Sequence, residues 1–187
     1  MIPAISRNYF QTKVDFLYYL YNNLGCNDLR LCYSYPKQDG SVGFSKWVYF
    51  RVLASLNDKD IVPGQNITTK EFLVKCSHRT VLDIELMIDI DEKGKFLSIK
   101  NHARSICRKL DKANIPYSCH FTGSKSYHIS VLFPKFRFMK PSDVKELKSL
   151  FLSVVGADTL KSSDNSMIAI EGEPHYRSGK IKKEVSL

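Results

Sequence analysis

The chain is poor in acidic residues relative to its cations: 19 Asp and Glu stand against 28 Lys and Arg, a formal net charge of +9 over 187 residues. An excess of that size points to a polyanionic partner, nucleic acid before membrane. Cysteine is sparse and odd in number, with Cys26, Cys32, Cys76, Cys107 and Cys119 forming no CxxC pair. Neither a disulfide framework nor a zinc knuckle is signalled. A site drawn from Cys26, Cys32, Cys76 and His78 matches no zinc-ligand spacing, so zinc is not expected and reduced thiols in the cytoplasm are. Met1-Ile2-Pro3-Ala4 opens no signal-peptide core, and no apolar run approaches the length of a membrane span. A soluble protein without a membrane partner is expected. Internal repeats, low-complexity linkers and any helicase signature are also missing.

What is present suffices for one ordinary core: 43% of residues are hydrophobic and 12% aromatic. The most informative stretch is Leu86-Met87-Ile88-Asp89-Ile90-Asp91. In an extended strand, residues two apart share a face, so Asp89 and Asp91 are aimed side by side while Ile88 and Ile90 pack behind them. Two adjacent carboxylates repel, and acids are depleted in strand interiors. A hard divalent cation between the oxygens turns that repulsion into attraction while leaving positions for water and phosphate.

Helical spacing predicts a helix over 12–24, ended by Gly25, and another over 101–113 with Ala103, Ile106, Cys107 and Leu110 inward. Segments 29–35, 46–52 and 70–76 read as β-rich. Strands are predicted at 81–91, 117–121, 127–133 and 167–170. Pro141-Ser142-Asp143 starts a last helix, with Val144, Leu147, Phe151 and Val154 on its buried face and Gly156 at its end. From about residue 80 to 171 the order is βαββαβ, a ferredoxin-like, RRM-like α+β core preceded by a mixed α/β extension. One domain over 1–187 is expected, with an N-terminal subregion 1–78 and a catalytic subregion 79–187.

Right-handed crossovers put the first and third strands of that core side by side and the fourth on the first strand's other flank. Asp89 and Asp91, His128 and Asp164 then converge, with Asp158 and Glu171 as weaker alternatives for a third carboxylate. The turn Thr122-Gly123-Ser124-Lys125-Ser126 precedes His128 and offers backbone N–H groups, hydroxyls and a cation of the kind that grips phosphate.

Ile88-Asp89-Ile90-Asp91 resembles the hydrophobic-Asp-hydrophobic-Asp first motif of the archaeo-eukaryotic primase superfamily, and Ser126-Tyr127-His128 resembles its Ser-x-His second motif. Asp164 resembles the third-motif acid, and His175-Tyr176-Arg177-Ser178-Gly179-Lys180 is similar to the segment that follows it. The resemblance implies a primase or primase-polymerase core that transfers nucleotides on a single-stranded DNA template. Two Mg²⁺ or Mn²⁺ ions about 4 Å apart would be held by Asp89, Asp91 and Asp164. The triphosphate of an NTP or dNTP would be held by His128, Lys125, Ser126, Ser124, Thr122 and Gly123, with His175, Arg177 and Lys180. Template, primer and nucleotide are the expected partners, in a prokaryotic, plasmid or viral replication setting with a nuclear one left open. A replicative helicase or other replication protein is a further expected partner, supplied by a larger chain or by a complex. A metal-dependent nuclease and a non-catalytic nucleic-acid-binding module are the competing readings. Arg104, Arg108, Lys109 and Lys112 on one helix, and Tyr33, Tyr35 and Trp47, are further candidates for touching nucleic acid.

Overall fold

The computed structural model describes residues 6–91, 96–163 and 165–187. Asp164, and with it the expected third acid, lies outside the described residues. The fold is mixed α+β, with ten strands in two four-stranded antiparallel sheets and one two-stranded ribbon among the described residues. No described helix is long and apolar enough to cross a membrane.

The N-terminal helix α1 (Lys13–Tyr18) is opened by a capping box, in which Thr12 accepts from the Asp15 amide while the Asp15 carboxylate accepts from the Thr12 amide. It runs into a π-helical turn, Tyr19–Asn23. The first sheet has the order β4 (Val48–Tyr49), β1 (Arg30–Cys32), β5 (His78–Thr80), β9 (Met167–Ala169); the ribbon is β2 (Ser34–Pro36) with β3 (Val42–Phe44). Phe16, Leu17, Leu20, Leu31, Phe50 and Phe72 anchor the core beneath this sheet.

Two β-rich expectations are corrected. Segment 46–52 is a strand only at Val48–Tyr49 and turns at once into the short helix α2 (Phe50–Leu53). Segment 70–76 is helix α3 (Thr69–Lys75), because Thr68 and Glu71 form a second reciprocal capping box that satisfies the first-turn amides. That Thr-x-x-Glu signal outweighs the β preference of Phe72 and Val74.

The second sheet has the order β10 (Lys183–Glu184), β7 (Tyr117–Phe121), β8 (Tyr127–Leu132), β6 (Glu85–Ile90). Its apolar face carries Leu86, Ile88, Ile90, Ile129 and Val131 and packs on Ala103, Ile106, Cys107 and Leu110 of α4 (Phe96–Lys112). The opposite face presents Glu85, Met87 and Asp89 of β6, His128 and Ser130 of β8, and Ser118 and His120 of β7. That face is covered as well: Met87 packs with Val81 and with Ile168 of β9.

The fourth strand of the expected core does not flank β6. Strand β9 pairs with β5, in the register His78↔Ala169, Arg79↔Ile168 and Thr80↔Met167. A buried ion network explains the choice. Arg79 on β5 makes a two-pronged contact with Glu85 at 2.7 and 2.9 Å and another with Glu171, just past β9, at 2.9 and 3.1 Å. Lys182 adds a 3.0 Å bond to Glu171, and Ser130 donates to Glu85 at 2.6 Å. With these groups out of water, moving β9 to β6 would strand unpaired charges, a cost of several kcal/mol. The first sheet therefore draws strands from both ends of the sequence.

Helix α5 (Pro141–Val154) is turned relative to expectation. Its buried side chains are Val144, Lys148 and Leu152, whereas Leu147, Phe151 and Val154 are exposed. The Lys148 stem fills the interior and its ammonium is bonded to the carbonyls of Leu82 and Asp83.

Candidate active site

Asp89 and His128 are directly opposed residues of neighbouring strands. Both are buried, and His128 Nε2 lies 3.4 Å from Asp89 Oδ1. Lys161, carried on the 3₁₀ turn Thr159–Ser162, reaches within 3.7 Å of Asp89 Oδ2 and donates to the Met167 carbonyl at 2.9 Å. The same segment is pinned to β6 by the Asp158 amide, which donates to the Asp89 carbonyl at 2.9 Å. The stretch preceding β9 thus reaches the end of β6 although β9 itself pairs elsewhere.

Asp91, one residue beyond β6, is half exposed and stands 3.4 Å from the Lys125 ammonium. Lys125 and Ser124 form the exposed tip of the β7–β8 turn. Thr122 and Ser126 close its base: the Thr122 hydroxyl lies 2.9 Å from that of Ser126 and 3.1 Å from the Ser126 carbonyl. Both hydroxyls brace the turn. Gly123 has φ +83°, and a Cβ there would stand 2.4 Å from the Lys180 carbonyl oxygen. Only glycine lets the turn approach this closely.

The contact at Gly123 joins the two segments singled out in the sequence. Ser178 donates to the Gly123 carbonyl at 2.8 Å, and the loop 174–181 is closed by bonds from the His175 amide to Lys180 and from the Gly179 amide to His175, each 2.8 Å. His175 Nδ1 accepts from the Arg177 amide at 3.3 Å, which orients the ring. Tyr176 lies between His175 and His78, with ring centroids 4.9 and 5.8 Å away.

Electrostatics keep the centre asymmetric. Burial would push the Asp89 carboxyl up, but His128, Lys161 and Lys182 outweigh it and hold it below the usual carboxylate range. Burial lowers His128, with Asp89 opposing. Burial and the nearby Lys182 push His120 down to about 3, and burial with His175 pushes His78 down to about 4. The carboxylate is therefore ionised and these imidazoles neutral near pH 7. Asp89 Oδ1, His128 Nδ1 and His120 Nε2 are buried without a hydrogen-bond partner. Buried polar atoms without a partner are uncommon in folded proteins.

The two alternatives for a third carboxylate already accept hydrogen bonds. Glu171 is consumed by Arg79 and Lys182. Asp158 caps the 3₁₀ turn by accepting from the Leu160 amide. Among the described residues no three His, Cys, Asp or Glu side chains form a metal-holding group. The five cysteines are buried, and burial raises Cys26, Cys32 and Cys76 to about 12. The basic face of α4 lies across the sheet from Asp89, since α4 covers the opposite side. Tyr33 packs against Phe72 and the first core.

Sequence reading missed Lys161, His120 and Arg79. His120 had a signal: it lies four residues before Ser124, as His128 lies four after, so a hairpin centred there pairs them. Lys161 had none, because it acts through a long side chain on a non-periodic turn.

No protein-family model matches the chain, and no curated protein matches it in sequence. Among solved structures it is similar to the polymerase domain from Mycobacterium tuberculosis Ligase D in complex with DNA, at 11% identity and a TM-score of 0.56, covering 98% of this chain and 84% of that one. The likeness is one of fold.

Proposed function

We propose that the protein is a template-directed nucleotidyltransferase, a primase or primase-polymerase that makes or extends primers on single-stranded DNA. The observation that carries this reading is the in-register Asp89–His128 pair, with its unpartnered buried atoms, set beside the Gly123–Lys125 turn. The likeness in fold to a polymerase domain solved with DNA supports it, as does the net charge of +9.

The residues fit Mg²⁺ or Mn²⁺: Asp89 Oδ1 is a hard oxygen donor lacking a partner, and Asp91 lies two positions on. Asp89 and Asp91 would hold the ion, with Asp164 as the proposed third ligand. When bound, the ion acidifies the primer 3′-hydroxyl and offsets charge on the leaving pyrophosphate.

The chain's own groups do the rest. Lys125, 3.4 Å from Asp91, would turn to the triphosphate, with Ser124 and the Gly123 backbone around the phosphates. His128, held neutral, offers one N–H at a fixed place while Asp89 orients its ring. His175, Arg177 and Lys180, tied to the turn through Ser178 and Gly123, extend the positive wall on which the phosphates rest. Lys161 offsets the charge of Asp89 when no cation is present.

Incubation with Mn²⁺ or Mg²⁺, single-stranded template and labelled nucleoside triphosphates tests the reading. New or lengthened oligonucleotides support it. Shortened template would indicate a nuclease, and unchanged material a binding module.

A further inference from the structure

A recess of about 660 Å³ lies at the outer edge of the first sheet. Its walls carry Arg30 of β1, Tyr49 of β4, Arg51 of α2 and Lys145 of α5, and its floor continues through Ser162, Ser163 and Asn165. Ser162 ends the turn that sets Lys161 against Asp89, so recess and candidate site share one segment. Three cations face one acid, Asp28, among the lining residues.

The arrangement of these groups is specific. The Arg51 guanidinium lies 4.8 Å from the centre of the Tyr49 ring and that of Arg30 5.5 Å from it, so an amphipathic ring, 40% exposed, stands beside two cations. Arg30 is anchored through its terminal nitrogen to Asn165, yet its Nε is buried without a hydrogen-bond partner. Exposed aromatic faces framed by Arg and Lys suit single-stranded nucleic acid, with bases stacking on the ring and phosphates meeting the cations. A duplex would offer no free base face to Tyr49.

We infer that the Arg30–Tyr49–Arg51–Lys145 recess is a nucleic-acid subsite that holds the single-stranded template next to the Asp89 site. The inference rests on the nucleic-acid reading of the protein but not on its catalysis. It assigns Tyr49 the stacking role and Arg51 and Lys145 the phosphate contacts, and separates them from the basic face of α4, which lies across the second sheet.

The test is fluorescence anisotropy of a labelled single-stranded oligonucleotide across a salt series, without nucleotide or metal. The double variant Arg51→Gln/Lys145→Gln should bind about tenfold more weakly and lower the slope of log affinity against log salt by roughly 1.4, two phosphate contacts at about 0.7 each. Tyr49→Leu should bind several-fold more weakly with the slope unchanged, since stacking releases no counterions. Arg108→Gln/Lys112→Gln on α4 should bind within about twofold of wild type. No binding by wild type, equal binding by the recess variants, or equal losses from the α4 pair would overturn the inference. Recess-dependent binding without nucleotide incorporation would leave the subsite standing and remove the polymerase reading. Incorporation with recess variants of wild-type affinity would do the reverse.

Discussion

Asp89 and His128 face one another across β6 and β8, with Nε2 3.4 Å from Oδ1 and both side chains buried. The pair is held from behind by the apolar face of the sheet and from the side by the Asp158 amide on the Asp89 carbonyl. Neither group can retreat into water, so the charge of one sets the proton affinity of the other.

Asp89→Asn removes the charge that holds His128 up against burial. The His128 pKa should fall further, as read by NMR titration of the ring protons, and nucleotide incorporation should drop at least about a hundredfold. An unchanged His128 titration would contradict the pairing.

Gly123→Ala puts a methyl group 2.4 Å from the Lys180 carbonyl oxygen at a φ of +83°. It should cost about 2–4 kcal/mol in urea unfolding and loosen loop 174–181 from the turn. Gly64→Ala, at φ +73° with open space around it, should cost only about 1 kcal/mol. Equal losses would show that the close approach to Lys180 carries no weight.

Arg79 serves two buried carboxylates at once. Arg79→Ala leaves Glu85 and Glu171 buried without their shared guanidinium and should destabilise the protein by about 3–5 kcal/mol. Thermal and denaturant unfolding both measure this, and a loss below 1 kcal/mol would refute the role of the network in placing β9.

Acid should weaken the fold before any carboxylate titrates. His78 and His120 have folded values near 4 and 3, below the ordinary 6.5, so the unfolded chain takes up protons first. Their contribution is complete above about pH 6.5 and declines as pH falls, by about 1.4 kcal/mol per unit for each group. Asp89, Glu85 and Glu171 have lowered values, so their losses begin only nearer pH 4. Unfolding free energy should therefore fall between pH 6.5 and 5, and a flat profile there would contradict the buried neutral imidazoles.

The hairpin and the β6–β8 pairing were legible because period-two alternation and a Gly-Ser turn specify both strands and their register. The neighbour of β9 was not. Alternation identifies a strand but is silent on its partner, which here follows from Arg79, Glu85 and Glu171 meeting out of water. The inward face of α5 is not legible for a related reason: Lys148 buries its methylenes while Leu147 and Phe151 stay outside, an inversion that no hydropathy pattern encodes. Helix α3 was readable in principle from Thr68 and Glu71, whose reciprocal bonds fix its start. At the site, Asp89, His128 and Lys125 stand out by residue type and spacing, while Lys161 is brought in only by the tertiary path of the chain.

The most direct test follows the ring-proton resonances of His128 while Mn²⁺ and a nucleoside triphosphate are titrated in together. The paramagnetic ion should broaden His128 first and His120 next, and Asp89→Asn should abolish the effect. Sharp, unshifted His128 signals at saturating Mn²⁺ and nucleotide would mean that no metal-nucleotide complex forms at Asp89.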